Sequence, residues 1–213
     1  MAVKHCWKLE YSIALFVMLG VILLIMPVSI ENTRQANFIS KWNEKFNRVE
    51  YMFSVINAHV TDDMIKSMNK AATSQEREKI LLALVKPYLR INTGNYPIKH
   101  YKPRYMNGAR VYRGQTYFFD DFYFAENNTI VGIKNLKSEK SSDAWFLMMF
   151  DINGILPPNR WGKDIFGVNI YDGGKIEPFG FDIDMDALKK DCSSTGTGVS
   201  CSYYYKIGGG FDD

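Results

Sequence analysis

The sequence predicts an α+β protein in which one long N-terminal helix lies along an antiparallel sheet. Three observations carry that reading. Residues 1–60 contain a single glycine, Gly20, and a single proline, Pro27, so almost nothing interrupts a helix there. Aromatic residues make up 15% of the 213 residues, and Tyr and Phe crowd the second half, where a pleated surface accommodates them best. Short apolar runs in that half alternate with turn clusters such as Asn153-Gly154 and Asp172-Gly173-Gly174, and short intervals between strands imply antiparallel pairing.

The helix comes first. Tyr11 to Ile30 is a run of twenty residues without a charge, bracketed by Glu10 and Glu31. As a helix such a run is about 30 Å long, the thickness of a bilayer's hydrocarbon core. A buried core helix normally keeps a polar stripe, whereas Ile13 to Met26 is apolar on every face except at Gly20. A cleaved signal peptide would end at a small-x-small site, and Met26-Pro27-Val28-Ser29-Ile30 offers none, so a retained membrane span is the expectation. Beyond Glu31 the pattern turns amphipathic. Phe38, Trp42, Phe46, Val49, Phe53 and Ile56 trace one helical face. The expectation is one helix from near Trp7 to about Val60, kinked at Pro27 if the missing donor is felt. The domain organisation that follows is 1–10 as a short cytoplasmic leader-like segment, 11–30 as a transmembrane helix, 31–60 as its amphipathic continuation, and 61–213 as an extracytoplasmic α+β domain.

A second helix is expected after Thr73-Ser74-Gln75-Glu76, a capping-box pattern, with Ile80, Leu81, Leu84, Val85 and Tyr88 on its apolar side and Pro87 as its stop. Thr61-Asp62-Asp63 is a further cap candidate. Residues 92–114 read as an irregular, basic connection carrying Lys99, His100, Lys102, Arg104, Arg110 and Arg113 among tyrosines. Interleaved cations and tyrosines suit single-stranded nucleic acid, but 26 basic against 23 acidic residues leave only +3, and a solvated loop pinned by its tyrosines is the simpler reading; no nucleic-acid partner is expected. Strands are expected at 116–119, 122–125, 129–135, 144–150, 165–171 and 175–177.

The densest motif runs from Phe150 to Phe166. Asp151-x-Asn153-Gly154 opens like a calcium loop, and Asn159 and Asp164 would add oxygens, although the bidentate glutamate of an EF-hand is missing. The alternative is mechanical, with Asx side chains bonding their own backbone in two tight turns. No nucleophile elbow, phosphate loop or metal-spaced His–Glu pair is present, so no enzyme and no other cofactor is expected.

Two regions together resemble the type IV pilin-like proteins, which include the pseudopilins of type II secretion. In the first, Glu10 opens the apolar run and Pro27 follows seventeen residues later, the glutamate-to-proline interval of the prepilin N-terminal segment. The second is the Asp151-x-Asn153-Gly154…Pro158-Asn159-x-x-Gly162-x-Asp164-x-Phe166 block. The resemblance covers 4–56 and 145–180. It implies a bacterial pilin-like fold, a long helix whose second half packs on an antiparallel sheet, and assembly into a helical filament with other pilin-like subunits. The apolar helices with Pro27, and the stripe of Phe38, Trp42 and Phe46, would then carry assembly, and Glu10 would meet the freed amine of a neighbouring subunit. Prepilin peptidase would be a partner, cutting between His5 and Cys6. Here the chain departs from the family pattern: His5 stands for the usual glycine, Cys6 for the aromatic that becomes the new N-terminus, and Lys8 occupies a normally apolar position.

Cys192 and Cys201 enclose a Ser/Thr/Gly-rich stretch that reads as a flexible loop. A disulfide closing it would stabilise the fold by about 2–3 kcal/mol, and two free thiols are the alternative. Pilin-like proteins often close a C-terminal loop in this way. Basic residues flank both ends of the apolar run, so they do not orient it. The cysteine pair argues for an oxidising space, which places the N-terminus inside and the C-terminal domain outside the cytoplasmic membrane, with lipid around a single span.

Overall fold

The computed structural model describes residues 3–59, 70–71, 73–92, 98, 101–136 and 144–210, with side chains described outside 3–9 and 27–29. Helix α1 spans Val3–His59 without a break at Pro27. The chain divides into two compact units, Met1–Asn37 and Phe38–Asp213. In the first, every described side chain from Glu10 to Met26 is exposed, so none of them is buried within the protein. It is long and apolar enough to cross a membrane. The side chains of His5, Cys6 and Pro27 lie outside the described set, as does the cap candidate at 61–63.

The second unit is built on a five-stranded antiparallel meander, in the order β1 (Phe122–Phe124), β2 (Ile130–Asn135), β3 (Ala144–Asp151), β4 (Ile165–Tyr171) and β5 (Ile176–Pro178). Strands pair with their sequence neighbours because short connections leave no room for a crossover. On β3, Phe146, Met148 and Phe150 point to one face and Leu147 and Met149 to the other, and all five are buried to 2% exposure or less. A sheet strand apolar on both sides needs two covers.

The first cover is the predicted stripe of α1: Phe38, Trp42, Phe46, Val49, Phe53 and Ile56 all join the core with Phe146, Met148, Phe150, Phe166 and Val168. Trp42 is its centre. Its ring stacks on Phe166 at 5.0 Å between centroids, and its Nε1 donates to the Ser202 carbonyl at 2.8 Å, so the one polar atom of the indole is satisfied in the core. Helix α2 (Ser74–Leu89) extends this cover with Leu81, Val85 and Leu89. The expected capping box is present: Thr73 Oγ1 accepts from Glu76 N, and the Glu76 carboxylate accepts from Thr73 N. Pro87, expected to stop this helix, lies inside it. In the last turn its missing donor costs one bond, and the buried Val85 and Leu89 on either side hold that turn in place.

The second cover is not a regular element. Tyr101, Phe119, Trp161 and Phe179 lie against Ile130, Leu147, Met149 and Ile165. The ring of Phe179 approaches so closely that a Cβ at Gly167 would stand 2.2 Å from it, so only glycine fits that position of β4. The strand expected at 116–119 is absent; the segment is a run of turns in which Phe119 caps the sheet. Lys134 Nζ donates to the carbonyls of Gln115 and Thr116 at 3.1 and 2.8 Å, taking acceptors that a strand partner would have used.

Two short helices close the chain: α3 (Met185–Asp191), capped by Asp184, and α4 (Cys201–Tyr204). A disulfide joins Cys192 to Cys201. The stretch between them is not the flexible loop expected. The Asp191 carboxylate accepts from Thr197 N, Thr197 Oγ1 and Ser200 N at 2.8, 2.6 and 2.9 Å, and also from Ser200 Oγ. Burial alone would raise that carboxyl's pKa, but these bonds outweigh it and hold it below its usual value.

Replacing Trp42 with Ala should cost about 3–5 kcal/mol of unfolding free energy, because the site is sealed by Phe166 and the Ser202 carbonyl. Urea denaturation of the full chain in detergent, followed by tyrosine fluorescence, would measure this; a loss below 1 kcal/mol would show that α1 does not organise the core.

Candidate functional site

The β3–β4 connection, 152–164, is closed by a carboxylate at each end. Asp151 is the last residue of β3, Asp164 immediately precedes β4, and Ile152 N donates to the Asp164 carbonyl at 2.9 Å. Both aspartates are fully buried. The turns form for local reasons. Asp151 Oδ1 accepts from Asn153 N at 3.1 Å, an Asx turn, and Gly154 takes φ +73° where a Cβ would stand 2.3 Å from the Asn128 carbonyl. Asp164 gathers the far end: its Oδ2 accepts from Asn159 N at 2.8 Å and its Oδ1 from Arg160 N at 2.7 Å.

A third element completes the site. Tyr101 OH donates to Asp151 Oδ2 from fifty residues away in sequence. The segment carrying Tyr101 runs on across the β3–β4 connection: Arg104 N donates to the Asn159 carbonyl at 3.0 Å, and Trp161 N to the Arg104 carbonyl at 2.9 Å. It then reaches the disulfide loop through Met106 N to the Thr197 carbonyl at 2.8 Å and Asn107 N to the Gly196 carbonyl at 3.1 Å. The basic connection is therefore a strap tying two loops together, and the tyrosine pinning expected of it is present at Tyr101.

The electrostatics follow from burial. Burial, and then the neighbouring charge of Asp164, push the Asp151 carboxyl up to about 8 against the bonds from Tyr101 and Asn153. Burial lifts Asp164 to about 6 against the main-chain bonds from Arg160 and Asn159. The Tyr101 phenol, raised well above its ordinary value by burial and by Asp151, stays protonated and remains a donor.

The site contains only oxygen acceptors. The amide nitrogens of Asn153 and Asn159 donate to the carbonyls of Pro157 and Ile155, both at 3.3 Å, while the Oδ1 atoms of both residues are buried with no hydrogen-bond partner. Two carboxylates and two unpaired amide oxygens suit a hard cation in kind. Calcium takes six to eight oxygens, and among the described residues no three His, Cys, Asp or Glu side chains gather into a metal-holding group. Main-chain carbonyls or water would have to complete the set. Of the residues the sequence nominated here, Asp151, Asn153, Asn159 and Asp164 come together. Tyr101 was not nominated, because no local pattern links it to Asp151. Glu10 lies in the first unit, and its side chain is exposed.

Compared with known protein families, characterised proteins and solved structures, the chain gives no match.

The pH dependence of stability has a definite sign. The folded-state values of Asp151 and Asp164 stand above the ordinary 3.8, so the folded protein holds protons that the unfolded chain releases. Their contribution to stability is full below about pH 4 and is lost as pH rises through 6 to 8. In chelator, the melting temperature of the full chain should fall between pH 5 and pH 8, and Asp151→Asn should flatten that slope. A melting temperature that rises with pH over this range would contradict the burial of an ionisable pair.

Proposed function

We propose that this chain is a structural pilin-like or pseudopilin subunit of a type IV pilus or type II secretion filament. Its N-terminal helix is held in the cytoplasmic membrane, with the N-terminus inside and the C-terminal domain outside. One observation carries the reading: α1 bears two different apolar surfaces. From Tyr11 to Met26 the helix is apolar and exposed, while from Phe38 to Ile56 a stripe of it is buried in the sheet domain. A helix that merely anchored a domain would need only the first surface, and a helix that merely completed a core would need only the second. Apolar surface left open along a helix whose continuation is packed into a folded domain is what a subunit needs to bundle its helices with those of its neighbours in lipid or in a filament core. The disulfide supports an oxidising location for the domain.

Glu10 is the assembly residue in this reading. A carboxylate at the membrane edge is costly unless paired, and the amine exposed by cleavage between His5 and Cys6 in a neighbouring copy would pair it. Intact mass and N-terminal sequence of the protein from its native membrane test the processing: a chain beginning at Cys6 supports the filament, and an uncut chain removes the partner of Glu10. Replacing Glu10 with Ala should abolish co-assembly while leaving membrane insertion intact. Normal incorporation of that variant would overturn the role.

A second reading is favoured by the unpaired Oδ1 atoms of Asn153 and Asn159 beside two buried carboxylates. In it the chain is a membrane-anchored extracytoplasmic module that does not polymerise and holds calcium at Asp151, Asn153 and Asp164. The ion would replace the protons held by the two raised carboxyls and fix the β3–β4 connection. Millimolar calcium should then raise the melting temperature, more at pH 8 than at pH 5, and EDTA should reverse the gain. Melting indifferent to both would sink the calcium site and leave the mechanical role of the turns.

A further inference from the structure

The strap that ties Tyr101 to Asp151 also forms one wall of a cleft of about 460 Å³, opening between 101–104, 110–113 and 118–122. That volume is in the range of small-molecule sites. Among the described residues four cations line it, Lys102, Arg104, Arg110 and Arg113, against one acid, Asp120. The whole chain carries only +3, so this is a local concentration of charge and not a share of a general excess. Two of the cations are engaged: Arg113 pairs with Asp120 at 3.0 Å, and Arg104 Nη1 donates to the Gly108 carbonyl at 3.1 Å. Lys102 and Arg110 have neither a hydrogen bond nor an ion pair among the described residues. The rest of the lining includes the half-buried Ile98, Val111 and Phe118 and the exposed Tyr112, 62% accessible.

We propose that this cleft binds an acidic sugar, a carbohydrate residue bearing carboxylate or phosphate groups. Arg110 and Lys102 would take the anionic oxygens in charge-assisted hydrogen bonds, and Tyr112 and Phe118 would meet the apolar face of the ring. The cations line one cavity of about 460 Å³, the scale of a small molecule and not of a groove that tracks a nucleic-acid backbone, so the preferred anion is compact. The arrangement also explains why Tyr112 stays exposed while Tyr101 and Tyr105 are tied into the strap by bonds to Asp151 and Gln115. The inference goes beyond the filament reading and stands independently of it, since a subunit or a solitary anchored module would present the same cleft.

Calorimetric titration of the full chain in detergent tests it, with trigalacturonate and sialyllactose as carboxylate probes, glucose 6-phosphate as the phosphate probe, maltotriose as a neutral trisaccharide and a short oligothymidylate. At least one acidic sugar should bind, roughly tenfold or more tightly than maltotriose, and which one binds separates carboxylate from phosphate recognition. The double variant Lys102→Gln, Arg110→Gln should weaken that binding about tenfold or more, and Tyr112→Ala should weaken it further, with melting temperatures unchanged. The proposal is overturned if no acidic sugar binds, if maltotriose binds equally well, if the double variant binds like the parent, or if oligothymidylate binds more tightly than every sugar.

Discussion

Strand β3 is buried on both of its faces, and the domain is arranged around that constraint. Phe146, Met148 and Phe150 demand one apolar layer, and Leu147 and Met149 demand another. The stripe on α1, extended by α2, supplies the first with a regular period. The second is supplied by irregular backbone, which carries polar groups that must be satisfied wherever it is buried. This is why the segment from Tyr101 to Asn107 is bonded so fully, to Asp151, to the main chain around Asn159 and Trp161, and to the disulfide loop.

The buried carboxylates belong to the same logic. Asp151 and Asp164 sit at the two ends of the β3–β4 connection, and each accepts main-chain donors that a tight turn would otherwise leave unpaired. The cost is the burial of two acids close together, visible in the upward displacement of both carboxyl groups. Protonation of one of them, or a cation held among the oxygens, would relieve the same repulsion. The mechanical clamp and the proposed calcium site would thus be alternative uses of one arrangement. Asp191 shows the contrasting case: with four donors on one carboxylate, its charge is fully supported, and the loop between Cys192 and Cys201 is ordered by it as well as by the disulfide.

Two surfaces stand out from the packed domain. The exposed apolar length of α1 and the basic cleft beside Tyr112 both present chemistry that the fold itself does not consume. The first suits lipid or other apolar helices, the second a small anion. They differ in kind, so one does not imply the other.

Much of the scaffold was legible in the sequence. Helix α1 with its buried stripe, the capping box at Thr73 and all five strands follow from period, caps and turn residues, which act within a few positions of each other. Expectations failed where a distant partner decided the outcome. Buried neighbours kept Pro87 helical, Lys134 took the carbonyls that a strand at 116–119 needed, and Asp191 ordered a stretch whose composition reads as loose. The candidate site divides in the same way. Asp151, Asn153, Asn159 and Asp164 lie within fourteen residues and were visible as a motif, while Tyr101 approaches from fifty positions away. By itself the sequence determined the membrane-length helix, the meander and the oxygen-rich turn, because each is written in local periodicity and local hydrogen bonding. Tertiary structure alone decided which face of the sheet the irregular strap covers, which acids are raised by burial and by each other's charge, and where the cations converge on one cleft, because burial and charge proximity are properties of distance in space and not of separation along the chain.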